Sequence, residues 1–160
     1  MPKSKSNISN SLTGIAGVHF VVSELSRRGL IALPTVRNTA GIDVVVVNHD
    51  GTWHANLQVK TSGNKVKNGP IGNYYRKLRG RRNFFAFVRY LAEEEYFEVF
   101  LESAQKVAQQ AEKRERLRAK KSRGGIGPAW GLPEDEKQVA RLRKKWQNFG
   151  NKYNRPDNTH

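Results

Sequence analysis

The chain has 160 residues, which suits one ordinary domain of about 100–150 residues with short tails and leaves too little for two independent cores. Its 29 Lys and Arg against 14 Asp and Glu give a formal charge of +15, a self-repulsion rarely kept without a polyanionic partner, so nucleic acid is the leading candidate. Having no cysteine excludes a disulfide scaffold, a thiolate zinc site and a Cys nucleophile. No apolar run approaches the roughly 18 residues of a membrane span, so a soluble, cytoplasmic chain without a membrane partner is expected.

Residues 1–10 and 151–160 are polar and read as flexible tails around a single domain over 11–150. From Thr13 to Arg28, Ile15, Val18, Val22 and Leu25 recur at helical spacing, with Thr13 able to cap the start and Gly29 following the last turn. Ile31 to Thr35 has room for a short strand. Ile42 to Val47 is a β-branched run ending in a tight Asp50-Gly51 turn, and Trp53 to Lys60 alternates apolar Trp53, Ala55, Leu57, Val59 with polar His54, Asn56, Gln58, Lys60. The stretch from Thr61 to Arg82 is rich in Gly, Asn, Lys and Arg without a single acid, and reads as a mobile functional loop.

Asn83 to Leu91 and Tyr96 to Leu101 are aromatic-rich strands joined by the acidic turn 92–95. Ser103 to Lys121 combines strong helix formers with a thin stripe of Ala104, Val107, Ala108, Ala111 and Leu117, and Gly124, Gly125 and Gly127-Pro128 break it. A last helix starts at Pro133, carries acids in its first turn and Arg141, Arg143, Lys144 and Lys145 later, and shows the stripe Val139, Leu142, Trp146 and Phe149 before Gly150. The order predicts an α/β (α+β) fold, a mixed sheet of about five strands flanked by helices. Its core spans 13–101 and basic helices fill 103–149.

Antiparallel pairing through the Asp50-Gly51 turn brings Asp43 close to Gln58 or Lys60, which share a strand face. A carboxylate, an amide oxygen and an ammonium then meet at one sheet end, within reach of Glu24 on the covering helix. Such a group suits a hard divalent cation held through oxygens, with Lys60 orienting a water or steadying a developing phosphate charge. His49 and His54 flank the turn without a third ligand and read as exposed, as does His19 on its helix. The run Lys65, Lys67, Arg76, Lys77, Arg79, Arg81 and Arg82, interleaved with Tyr74 and Tyr75, reads as a nucleic-acid-binding element in which cations meet phosphates and rings stack on bases, with no acid to offset it. The Lys/Arg residues at 113–123 and 141–145 are placed to grip duplex flanks or to form coiled-coil-like surfaces for a partner.

The segments Gly17-x-x-Phe20-x-x-x-Glu24-Leu25, Gly41-Ile42-Asp43-Val44-Val45-Val46 and Leu57-Gln58-Val59-Lys60-Thr61-Ser62 together resemble the core of the PD-(D/E)XK, or restriction-endonuclease-like, nucleases. They are similar in particular to the Holliday-junction resolvase and group I intron homing endonuclease branch. The resemblance covers roughly residues 13 to 62 and implies a metal-dependent DNA endonuclease, using Mg²⁺ or Mn²⁺ and working as a dimer or tetramer of identical chains. It makes Asp43 the motif aspartate and a metal ligand, Lys60 the motif lysine, Glu24 the helix-borne acid and the Val59 carbonyl a further ligand. Gln58 stands where most members have Glu or Asp, which removes a negative charge and weakens the expected hold on Mg²⁺, and Gly41-Ile42 replaces the usual proline. Two rivals accompany this reading. One is a non-catalytic nucleic-acid-binding protein with a degenerate nuclease fold, the other a basic RNA-binding protein.

Overall fold

The computed structural model describes residues 10–36, 41–63, 68–91, 93–119 and 128–151. The first helix, α1 (Asn10–Arg27), turns at Gly29 into β1 (Ile31–Pro34), and β2 (Val44–Val47) and β3 (His54–Ser62) form the expected hairpin. Then come the short β4 (Asn68–Pro70), a single 3₁₀ turn at Asn73–Arg76, the long pair β5 (Asn83–Leu91) and β6 (Tyr96–Ser103), α2 (Ala104–Ala119), β7 (Ala129–Gly131) and α3 (Glu136–Gln147).

Five strands make one sheet in the order β1-β2-β3-β5-β6, in which every neighbour is antiparallel except β3 and β5. The parallel step is imposed by 63–82, which carries the chain from the end of β3 back to the level of its start. Asn56 then lies beside Asn83 and Ser62 beside Arg89. The two central strands are covered on both faces, and their alternation shows it. Ala55, Leu57 and Val59 join Val21 and Leu25 of α1 in one cluster with Ala86 and Val88, while Phe85, Phe87 and Phe100 join Val107, Ala108 and Ala111 of α2 in the other. The mixed α/β architecture expected from the order of elements is the one observed.

Two helices differ from expectation, and α1 also starts at Asn10, which leaves Thr13 inside the helix rather than at its cap. Helix α3 begins at Glu136 rather than Pro133, because the Asp135 side chain accepts the Lys137 N–H at 2.9 Å and so sets the cap there. On α1 the inward stripe is Gly17, Val21 and Leu25, with Val18 and Val22 half-buried and Ile15 43% exposed, so the core-facing arc is turned away from Ile15. Gly17 explains that rotation. A Cβ on it would lie 2.8 Å from Thr61 Cγ2 and closer still to Oγ1, so α1 crosses β3 at a glycine because only there does the backbone fit.

The described part of 61–82 is organised rather than a free loop. Ile71 and Tyr75 are fully buried and Leu78 nearly so, all in the α2-side cluster, and β4 pairs with β7 in a two-stranded ribbon. Apolar residues too widely spaced for helix or strand periodicity anchor this segment, and β7, some sixty residues later in the chain, supplies its partner strand. The tails at 1–9 and 152–160, Lys65 and Lys67, and the breaking glycines 124, 125 and 127 lie outside the described residues.

Candidate active site and nucleic-acid surface

Strand β2 begins only at Val44, opposite Leu57, while β3 runs on past that level to Ser62. Asp43 fills the step. Its N–H donates to Leu57 O at 2.9 Å, and its carboxylate Oδ2 accepts the Val59 N–H at 2.7 Å. Thr35 steadies this segment from β1, donating its N–H to Asp43 O at 2.9 Å and its hydroxyl to Ile42 O at 2.6 Å. Because a residue's N–H and C=O point the same way across a strand, the Val59 carbonyl faces the side on which Asp43 sits.

Gln58 and Lys60 point to the sheet face opposite α1, flanked on β5 by Phe85 and Phe87. Gln58 is 5% exposed, and its Oε1 is buried with no hydrogen-bond partner among the described residues. Lys60 is half-buried. Burial pushes its ammonium below the usual lysine range, and the Asp43 carboxylate works in the opposite direction. The structure thus brings Asp43, Gln58, Val59 and Lys60 to one sheet end.

Glu24 has other partners. Its carboxylate takes Arg27 at 3.0 Å and Arg28 at 3.5 Å, and Arg28 itself reaches α3, donating to Trp146 O at 2.6 Å with its guanidinium 4.6 Å from the Trp146 ring centre. It joins the end of α1 to the end of α3, on the face that Gln58 and Lys60 do not share. His19, His49 and His54 are exposed, as expected. Among the described residues no three His, Asp or Glu side chains gather into a metal-holding group.

The basic surface is partly neutralised. Arg76 pairs with Glu115 at 2.9 Å and Arg79 with Glu112, so acids from α2 offset a run that has none of its own. Tyr75, expected to stack on bases, has no exposed ring face. It is fully buried with its hydroxyl 3.0 Å from Glu115, and burial followed by that carboxylate pushes its phenol upward. Tyr74 is 47% exposed and remains available. It stands beside the Asp43 segment: Gly41 has φ +73°, and a Cβ there would lie 2.8 Å from Tyr74 Cβ and 3.2 Å from Leu78 Cδ1. Lys77 and Arg81 are exposed, and Arg82 approaches His54 Nδ1 at 3.2 Å.

On α3 the cations serve the fold. Glu102 of β6 is 1% exposed and is held by Lys145 at 2.5 Å and Arg141 at 3.5 Å, while Arg143 and Arg89 share Glu98. Lys144 is left exposed.

No protein-family profile and no curated protein matches this chain. Among solved structures it is similar in fold to a bacterial homing endonuclease, I-Ssp6803I, with a TM-score of 0.51 and 17% identity over 91% of this chain and 96% of that one. At that identity the likeness is one of architecture.

Sequence reasoning missed a cleft bordering Lys60, lined by Phe87 and Phe100 of the sheet and by Trp130 and Leu132, with the Trp130 ring stacked on Phe87. The signal was present in the Gly-Pro-Ala-Trp-Gly segment at 127–131, a short aromatic strand among turn residues. No helix among the described residues is long and apolar enough to cross a membrane.

Proposed function

We propose that this chain is a metal-dependent DNA endonuclease of the PD-(D/E)XK type that hydrolyses phosphodiester bonds at the Asp43, Gln58, Lys60 end of the sheet. The observation that carries the reading is Gln58 Oε1, a buried amide oxygen with no donor among the described residues, next in the chain to Val59, whose N–H the Asp43 carboxylate accepts. Such an oxygen costs about 1–3 kcal/mol to leave unsatisfied, so a cation is a fitting partner for it. The Asp43 carboxylate, Gln58 Oε1 and the Val59 carbonyl form an all-oxygen set suited to Mg²⁺ or Mn²⁺. Bound there, the ion supplies Lewis-acid polarisation of the phosphate and a more acidic water. Glu24 is left out of this set, being engaged by Arg27 and Arg28.

The remaining roles fall to the chain itself. The Val59 N–H fixes one Asp43 oxygen and so orients the carboxylate. Lys60 orients the attacking water at its Nζ and steadies charge developing on the phosphate. Tyr74 stands beside the Asp43 segment, and with the exposed Lys77 and Arg81 that follow it in the chain it is assigned to hold the substrate backbone. Cutting both strands takes two such sites, so the reading includes a homo-oligomer.

The test is cleavage of labelled duplex, four-way-junction and single-stranded DNA with Mg²⁺, Mn²⁺ or EDTA, comparing the parent with Asp43→Asn. Metal-dependent cutting that the variant loses is expected. DNA bound in a gel shift but never cut with either metal would replace this reading with that of a non-catalytic binding protein.

A further inference from the structure

Alternation along β3 puts Asn56 and His54 on the sheet face that carries Gln58 and Lys60. Asn56 stands beside Asn83 of β5 in the parallel register, and its Nδ2 donates to Asn83 Oδ1 at 2.9 Å. The main chain fixes the same two residues. The Asn56 N–H donates to Arg82 O at 2.8 Å and the Asn83 N–H to Gly80 O at 3.0 Å, so the 80–83 turn is tied to β3. A bond between two amides leaves an acceptor on the donating residue and a donor on the accepting one, here Asn56 Oδ1 and Asn83 Nδ2.

Both of these atoms open to solvent. Among the described residues the side-chain polar atoms buried without a partner are Gln58 Oε1, Thr61 Oγ1 and Trp130 Nε1, and the two asparagines are only half-buried. Beside them His54, Arg81 and Arg82 are exposed, and neither arginine forms an ion pair with the described acids. Arg82 Nη1 lies 3.2 Å from His54 Nδ1, and since a guanidinium only donates, Nδ1 accepts and His54 Nε2 carries the proton. Two amides locked in place, flanked by unpaired cations, match the chemistry of a base edge between phosphates.

We propose that Asn56 and Asn83 form a base-reading pair for an adenine edge in the major groove of duplex DNA. Adenine N6 donates to Asn56 Oδ1, adenine N7 accepts from Asn83 Nδ2, and Arg81 and Arg82 hold the neighbouring phosphates. The bond between the two amides fixes their orientation before DNA arrives, so little side-chain freedom is lost on binding. The pair rests on the nuclease reading for its duplex and gives that reading a sequence preference. Along β3, Asn56 lies about 7 Å from Gln58 and about 13 Å from Lys60, which sets the adenine about two to four base pairs from the cleaved bond.

The test is a pool of randomised duplexes bound to the full chain in EDTA, recovered and sequenced, for the parent and for Asn56→Leu, Asn83→Leu, Asn83→Asp and Arg81→Ala. The parent pool should favour adenine at one position, and the leucine variants should lose about five- to hundredfold of that preference there and nowhere else. Asn83→Asp keeps the oxygen that Asn56 bonds and turns the free donor into an acceptor, so its preference should move toward cytosine, which presents a donor at N4. It carries the test where a leucine variant does not fold. Arg81→Ala should weaken binding to all sequences alike. A parent pool with no preferred base overturns the proposal, and so does an adenine preference that survives both Asn83→Leu and Asn83→Asp. A preferred adenine in a chain that cuts none of the bound duplexes once Mg²⁺ or Mn²⁺ is added keeps the pair and removes the nuclease reading, and metal-dependent cutting with no preferred base does the reverse.

Discussion

The Asp43 carboxylate accepts the Val59 N–H at 2.7 Å and so takes the place of the ladder rung that β2, beginning only at Val44, does not supply. One side chain therefore finishes a β-sheet and orients a candidate metal ligand. Asn keeps an acceptor oxygen at that position and Ala does not. Asp43→Ala should lose about 1–3 kcal/mol of stability in urea unfolding, Asp43→Asn under about 1 kcal/mol, and both should lose metal-dependent cleavage. Equal destabilisation by the two would show that the hydrogen bond contributes nothing.

Lys60 carries a stability signature with a definite sign. Its folded-state pKa lies below the unfolded value because burial disfavours the ammonium. Between the two values the unfolded chain binds more protons, so the Lys60 contribution to stability rises with pH through that window. Lys60→Met should be more stable than the parent near neutral pH, should lack that alkaline gain, and should bind DNA without cutting it. Urea midpoints measured from neutral to alkaline pH, with cleavage and gel-shift assays alongside, check all three.

Gly17 sets the approach of α1 to β3. Gly17→Ala places a methyl group against Thr61, 2.8 Å from its Cγ2, and should cost about 1–3 kcal/mol as overpacking. Adding Thr61→Ala removes the two nearest atoms and should restore part of that loss. A double variant no more stable than Gly17→Ala would place the strain elsewhere.

The ion pairs divide by burial. Lys145→Ala leaves the buried Glu102 carboxylate with Arg141 at 3.5 Å as its remaining cation, and the loss should approach the about 3–5 kcal/mol of a broken buried pair. Arg27→Ala breaks a pair whose arginine is 77% exposed and should cost about 1 kcal/mol or less. Thermal unfolding of the two variants gives the comparison.

Cations committed to Glu98, Glu102, Glu112 and Glu115 have less to offer a phosphate than Lys77 and Arg81, which are exposed. Removing Lys77 or Arg81 should flatten the dependence of log K on log salt by about 0.9 for each phosphate that is no longer neutralised. Removing Arg141 should leave that slope in place and lower stability instead. Filter binding at several salt concentrations distinguishes the two groups.

Local pattern alone determined the elements with strong periodicity. The Val-rich run, the Asp-Gly turn, the alternation from Trp53 to Val59 and the aromatic run of β5 each follow from short-range rules, and together they placed Asp43 near Gln58 and Lys60. Counting charges also showed the excess of cations. What periodicity does not encode is which distant groups meet. Glu24 lies on the covering helix in sequence, and the structure adds that its carboxylate meets Arg27 and Arg28, of which Arg28 reaches Trp146 more than a hundred residues away. Tyr75 sits in a basic run that reads as surface, yet α2 and Ile71 enclose it, and Glu112 and Glu115 neutralise its neighbours. The β4–β7 ribbon and the stack of Trp130 on Phe87 exist only as pairings between segments distant in the chain. Burial, ion pairing and cavity shape are sums over such long-range interactions, so only the tertiary structure decided them.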